Sequence, residues 1–412
     1  MYPPPVDSAL HRVQDHPLRS RDWSKLQDDI ARLIVKKLWF YPHHRKFAAA
    51  CTNWYHITKE VHGPFQQNSI VLLLPYNNQS EMCTLYDLSN SKTYEFGLSM
   101  LRDKFIYGSS NGWVCLSDKD YNISLINLLS MQQFELPYPS YALDFIRDVL
   151  HTPLIETEIM TKIAVSGSPL SSNDCIIAAI MSMFEELLVC RLGDKSWTPI
   201  RIKESKVKSH KCWQFLHDVI FFQGKIYAIN GGRNLLIVDF DGSNYVAWDT
   251  FGPSYQSGDD IGHPSRCEPC SEGLKDLVVL RLYLVECSGK LLAVRRLGDH
   301  HPADESFSTY FFELFEFEES KETWRMIHGL GERSLFVGQN GSISVSATET
   351  PGCRPNCIYF NDDFYRGQVD WEYGFRADNG VFCCEDGTIE RFSISHSMAR
   401  WLVPAMWCQL KI

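Results

Sequence analysis

Two hydrophobic periods divide the chain. Between Trp23 and Trp54 apolar residues recur every three or four positions: Leu26, Ile30, Leu33, Ile34 and Leu38 make one stripe of a three-turn helix. Asp28 and Asp29 fall in its first turn and Lys36 and Lys37 in its last, each complementing the helix dipole. Tyr41-Pro42 interrupts the pattern, because the residue before a proline is pushed out of the helical region. A second stripe follows at Phe47, Ala50, Cys51 and Trp54. Two short amphipathic helices cannot enclose a core; about forty residues normally need a partner, a metal or a staple. No cysteine pair or His/Cys cluster in this stretch provides one.

From Phe65 onward the period is strand-like. Short apolar runs such as CTLYDL, KIAVSG, CIIAAI and NCIYFND alternate with turn dipeptides, among them Asn111-Gly112, Gly231-Gly232, Asp241-Gly242, Asn340-Gly341 and Asp386-Gly387. A loose repeat runs through the series: LLVCRLGDKSWTPI and ELFEFEESKETWRMI each read strand, charged turn, tryptophan, while GKIYAINGGRNLLIVDF and GKLLAVRRL both open on Gly-Lys. Four-stranded units repeating every forty to sixty residues or so predict a β-propeller of six or seven blades. Two β-sandwiches would leave a break in composition near the middle, and none is present. The fold class is thus α+β by segment: a flexible arm (1–20), a helical motif (21–62) and an all-β propeller (63–412).

Composition narrows the function. The 412 residues are 44% hydrophobic and 22% charged, as in ordinary globular proteins. No run of eighteen apolar residues occurs, and the first twenty lack the apolar stretch of a secretory signal, so no membrane is expected as a partner and the expected location is cytoplasm and/or nucleus. Residues 21–62 carry a net charge of +4 and residues 63–412 one of −14, which suits an acidic partner at the helices and argues against nucleic acid at the remainder. The fourteen cysteines read as reduced thiols, with Cys115, Cys190 and Cys287 packing as small hydrophobes in strands. Cys267 and Cys270, with His263 upstream, have a zinc-like spacing, but the nearest second pair, Cys353 and Cys357, is over eighty residues away; no metal or cofactor is expected.

Catalytic motifs fail on context. Gly108-Ser109-Ser110-Asn111-Gly112 fits the G-x-S-x-G spacing of a hydrolase elbow, yet the strand-like Trp113-Val114-Cys115-Leu116 follows where an elbow needs a helix. Gly329-Leu330-Gly331-Glu332-Arg333-Ser334 stops short of a dinucleotide fingerprint. The acid pairs Asp259-Asp260 and Asp362-Asp363 read as turn residues. No catalytic residue is assigned. One stretch, 249–276, runs over twenty residues without either period; its Tyr255, His263 and Arg266 are candidate target contacts on a propeller rim.

Leu26, Asp28, Asp29, Ile30, Ile34, Leu38, Cys51 and Trp54 resemble the pattern of an F-box, the adaptor-binding motif of SCF ubiquitin ligases. Gln27 stands where that pattern has proline, and His43-His44 where it commonly has an acidic residue. Further along, Gly108 to Trp113, the run Asp218 to Asp239, Tyr283 to Glu286, Leu330 to Phe336, Pro351 to Phe360 and Trp401 to Pro404 resemble the kelch-related KIB-type propeller of a large plant F-box family. The resemblance implies a non-catalytic substrate receptor. Its helices would dock a Skp-family adaptor, and through it a cullin, using Leu26, Gln27, Asp28, Ile30, Leu33, Ile34, Leu38, Phe47, Cys51 and Trp54. Its propeller would hold a target protein. The alternative it implies is a regulator that binds and occludes an enzyme without ubiquitination, since relatives of this propeller inhibit kinases of the glycogen synthase kinase type.

Overall fold

The structure, a computed structural model, describes residues 22–38, 41–61, 70–74, 83–88, 92–96, 101, 104–128, 130–140, 160–169, 174–181, 186–202, 216–231, 234–241, 244–253, 277–301, 306–338, 341–361, 378–391 and 406–409. The chain divides into two compact units, 1–66 and 67–412.

Among the described residues the first unit has, after a 3-10 turn at Trp23–Lys25, three α-helices and not the two that the stripes imply: α1 (Asp28–Lys37), α2 (Tyr41–Ala48) and α3 (Thr52–Glu60). Phe47 and Trp54 were expected on one helix. Seven residues of continuous helix would set them about 10 Å apart along the axis, whereas their rings stack face to face with centroids 4.1 Å apart. The chain therefore folds between them: Ala50 N–H bonds Phe47 O at 3.1 Å, and Cys51 sits in extended backbone as the N-cap of α3. Around that stack, Ala31, Val35, Phe47, Ile57 and Val61 form a small core with Leu26, Ile34, Leu38 and Trp54 half-buried against it. Asn53 Nδ2 donates to Asp28 Oδ1 at 2.8 Å and Arg32 pairs with Glu60, fastening α1 to α3.

In the second unit the described residues form six sheets, which settles the choice between six and seven blades. Blade 2 comprises β4 (Phe105–Ser110), β5 (Trp113–Ser117), β6 (Ile123–Asn127) and β7 (Gln133–Glu135). Blade 3 has β8 (Met160–Val165), β9 (Ile176–Met181), β10 (Glu186–Arg191) and β11 (Thr198–Pro199). Blade 4 has β12 (Leu216–Phe222), β13 (Lys225–Asn230), β14 (Asn234–Asp241) and β15 (Asn244–Phe251), and blade 5 has β16 (Val278–Cys287), β17 (Lys290–His301), β18 (Ser306–Glu318) and β19 (Thr323–Ile327). Each is an antiparallel meander. The Gly-Lys repeat is the hairpin into the second strand of blades 4 and 5: Gln223-Gly224 and Ser288-Gly289 both take positive φ, as does Asn111-Gly112 between β4 and β5.

Blade 1 joins the two ends of the unit. The last strand, β25 (Met406–Gln409), pairs antiparallel with β1 (Ile70–Leu74), followed by β2 (Cys83–Asp87) and β3 (Lys92–Phe96). The innermost strands β25, β4, β8, β12, β16 and β21 (Gly341–Ser346) touch in a closed ring, which excludes paired sandwiches. Blade 6 departs from the meander. The chain enters at β20 (Arg333–Gly338), turns inward to β21, then crosses back so that β22 (Cys357–Phe360) lies parallel to β20, with β23 (Gly380–Cys383) and β24 (Ile389–Arg391) outside.

Apolar layers fill the gaps between blades, for example Leu282, Leu284 and Phe315 of blade 5 against Tyr227, Ile229 and Ile237 of blade 4. Cys115, Cys190 and Cys287 are free and buried in such layers, as their strand context predicts. Between blades 5 and 6 a charge takes over. Arg296, wholly buried, donates to Asp378 Oδ2 at 2.8 Å, Asn361 O at 2.9 Å and Tyr283 Oη at 3.0 Å. Burial pushes the Asp378 carboxyl up, but Arg296, Thr309 and Arg391 outweigh it and hold it below the usual carboxylate range.

Candidate docking face and central channel

In the helical unit α1 turns its small residues inward and its large ones outward. Ala31 and Val35 are fully buried, whereas Ile30 is 40% and Leu33 58% exposed. The sequence stripe is thus split: Ile34, Leu38 and Leu26 border the unit's own core, and Ile30 and Leu33 face water. The remaining named positions divide similarly. Phe47 is buried and Trp54 half-buried inside the unit, Cys51 caps α3, and Gln27 and Asp28 are exposed where α1 begins. Gln27 is the N-cap of α1 with φ −60° and makes no side-chain capping bond. That φ is the one a proline ring imposes. His44 is buried, and its Nε2–H donates to Leu38 O at the end of α1, which gives this position a structural use for imidazole where an acid has no proton to donate.

In the propeller the site is the channel along the axis, where a cavity of about 370 Å³ is lined by Ser109 to Gly112, Lys162 to Val165, Asp218 to Phe221, Leu284, Glu286 and Gly341 to Ser344. Two of its charged residues, Lys162 and Asp218, arise from a repeated irregularity. In blades 2 to 5 the pairing of the innermost strand with its neighbour skips one residue near the strand's start, between Ile106 and Gly108, Met160 and Lys162, Leu216 and Asp218, and Val279 and Arg281. A bulge re-aims the side chain beside it. In blades 3 and 4 the residue after the skip is Lys162 or Asp218, and the two meet at 3.0 Å, with side chains only 4% and 1% exposed.

This pair closes a network that reaches every blade. Asp218 Oδ2 accepts from Leu284 N of blade 5 at 2.9 Å and from Ser342 Oγ of blade 6 at 3.2 Å, while Lys162 Nζ donates to Gly338 O of blade 6 at 3.3 Å. Ser109 Oγ donates to Trp407 O of blade 1 at 2.7 Å. Ser110 Oγ accepts from Val165 N at 3.0 Å and Asn111 Nδ2 donates to Val165 O at 2.8 Å, so two adjacent side chains of blade 2 clasp one peptide position of blade 3. The G-x-S-x-G spacing is therefore a hairpin whose hydroxyls hold neighbouring blades. Both are bonded to backbone, and an activating base is absent from those contacts.

Tyr255, His263 and Arg266, with Cys267 and Cys270, lie outside the described residues, as do the arm 1–20 and Trp401 to Pro404. Among the described residues no group of three His, Cys, Asp or Glu is arranged to hold a metal, and no helix is long and apolar enough to cross a membrane. Lys162, Asp218 and Ser342 are the channel residues that sequence reasoning missed. The available signal was an aspartate, Asp218, opening the apolar run Val219 to Phe222.

A closed ring of six blades, following a three-helix unit in the chain, defines a β-propeller protein with an additional helical module. Residues 85–383 match the KIB1-4 beta-propeller family, and the chain belongs to that family. Similar curated proteins of Arabidopsis thaliana include F-box protein SKIP23, 23% identical over 401 residues and covering 90% of this chain and 91% of that one. F-box protein KIB3 is 22% identical over 373 residues, covering 85% and 74%, and F-box protein KIB4 is 22% identical over 363, covering 81% and 80%.

Proposed function

We propose that the chain is the substrate-recognition subunit of an SCF-type ubiquitin ligase, its helical unit docking a Skp-family adaptor, and through it a cullin, while the propeller binds the target protein. The observation that carries this reading is the outward pair Ile30 and Leu33 on a helix whose own core is already closed by Ala31 and Val35. Apolar side chains left exposed beside a filled core fit a helix-in-groove contact. The basic residues Arg32, Lys36 and Lys37 on the same helix suit an acidic adaptor. Relatives carrying the name F-box protein across most of both chains support it. In this reading Phe47, Trp54 and Leu38 act from inside, by holding α1 in place, and Leu26, Gln27, Asp28 and Ile34 border the contact.

The protein's contribution is proximity, since a tethered target lysine meets the charged conjugating enzyme locally. Chemistry belongs to that enzyme, in the cytoplasm and/or nucleus, and Tyr255, His263 and Arg266 remain the proposed target contacts. The test is adaptor capture by the full chain carrying Ile30→Asp and Leu33→Asp. Both positions face water, so helicity and the melting of the propeller unit should persist while capture is lost. Undiminished capture would sink the reading. Target abundance then separates degradation from occlusion: loss of the protein raises target level in the first case and only target activity in the second.

A further inference from the structure

Blade 6 gathers thiols that the chain keeps far apart in sequence. Cys357 opens β22 and Cys383 closes β23, and the two are direct Cα partners across the antiparallel pair. Their position in the ladder follows from a neighbouring bond: Cys384 N donates to Asn356 O at 3.0 Å. Cys384 and Asn356 are the next opposed residues, so theirs is a hydrogen-bonded position and Cys357 with Cys383 is a non-hydrogen-bonded one. At such positions Cα atoms lie about 4.5 Å apart and side chains approach most closely. That separation falls within the window a disulfide accepts.

Their side chains lie on one face of the sheet: Cys383 packs against the same apolar layer that holds Cys357. Cys357 is 3% exposed and packs in the layer with Ile70, Leu72 and Trp407 of blade 1. Cys383 is half-buried and reachable from solvent.

We propose that Cys357 and Cys383 are a redox modification site, a dithiol that a hydroperoxide converts into a cross-strand disulfide. The Cys383 sulfur attacks a peroxide oxygen; the S–O bond forms as the O–O bond breaks, and one water leaves. The Cys357 sulfur then attacks the Cys383 sulfur. The S–S bond forms, the S–O bond breaks, and hydroxide departs with the Cys357 proton as a second water. Two thiols lose two electrons and the peroxide gains them. Burial pushes the Cys357 thiol up to about 11, and Cys383 is the more exposed of the two, so an oxidant arriving from solvent meets Cys383 first. That order of events assigns first oxidation to Cys383 and resolution to Cys357. The product ties β22 to β23 across a loop of 25 residues, in the blade next to the strand pair that closes the ring.

Treatment of the full chain with hydrogen peroxide, followed by alkylation, non-reducing digestion and mass spectrometry, tests this. A Cys357–Cys383 linked peptide should form, disappear with dithiothreitol, persist in Cys384→Ser and be absent in Cys383→Ser. Closing a loop of this length should raise the melting temperature of the oxidised chain by about 5 °C over the reduced one. The reduced Cys383→Ser protein should melt like the wild type and show no such rise. A link through Cys384 or Cys353, or oxidation of Cys383 that ends at the sulfinic acid with Cys357 still free, would overturn the assignment.

Discussion

Lys162 and Asp218 meet 3.0 Å apart at the heart of the channel, each contributed by the innermost strand of a different blade. A buried ion pair gains little over apolar residues of the same volume, but removing one partner strands the other charge, at about 3–5 kcal/mol. Asp218→Ala and Lys162→Met should each lower the denaturant midpoint by an amount of that order. The double variant should be more stable than the sum of the two losses predicts. Simple additivity in the cycle would mean that the two charges do not interact.

Acid should loosen the same strand through His217. Its Nδ1 accepts Leu282 N–H at 3.1 Å, which requires an unprotonated nitrogen, and burial followed by the nearby Arg281 lowers its pKa to about 3. The unfolded chain, with an ordinary histidine near 6.5, binds the extra proton between those values. Stability from this residue is therefore complete above about pH 6.5 and falls as pH drops toward 3, at up to about 1.4 kcal/mol per pH unit. Urea midpoints measured from pH 4 to 7 should fall less steeply for His217→Gln than for the wild type. Parallel curves would remove His217 from the explanation.

Gln27→Pro should be tolerated and mildly stabilising. Gln27 has φ −60° and ψ 140°, and Leu26 before it has φ −59° and ψ 137°, so both residues already occupy the regions that a proline and its predecessor require. Restricting the unfolded chain should add about 0.4–1 kcal/mol. Melting of the helical unit by circular dichroism reads this directly, and a loss of helix would show that the Gln27 side chain or N–H does more than cap.

Gly298 lies where the β17–β18 register slips, and an added β-carbon would sit 2.1 Å from Ser308 O and 2.5 Å from Leu280 Cδ1. The Ser308 oxygen belongs to backbone and cannot rotate away. Gly298→Ala should therefore destabilise the propeller by about 1–3 kcal/mol, visible as an earlier thermal transition. An unchanged transition would mean that β18 can shift at that point without penalty.

Much of the architecture was legible because it depends on local period and turn chemistry. Asn111-Gly112 and the Gly-Lys repeats mark hairpins because tight turns need positive φ, and the unit length reflects the length of a four-stranded meander. The break between Phe47 and Trp54 was not legible, since a helical stripe looks the same whether its residues share one helix or face each other from two. Blade 6 escaped for a related reason: nothing in the run of apolar residues says that β22 pairs parallel with β20 instead of following its predecessor.

The sequence by itself determined the change from helical to strand period, the burial of Cys115, Cys190 and Cys287, and an apolar stripe on a basic first helix; which part of that stripe faces outward was decided by the packing of the three helices. Tertiary structure alone decided what the polar residues do. Ser109 meets Trp407 O, Lys162 meets Asp218 and Cys357 lies opposite Cys383 only because ring closure and strand register bring together segments that lie 298, 56 and 26 positions apart. Such contacts are fixed by the geometry of the ring and its bulges, which no stretch of sequence carries alone.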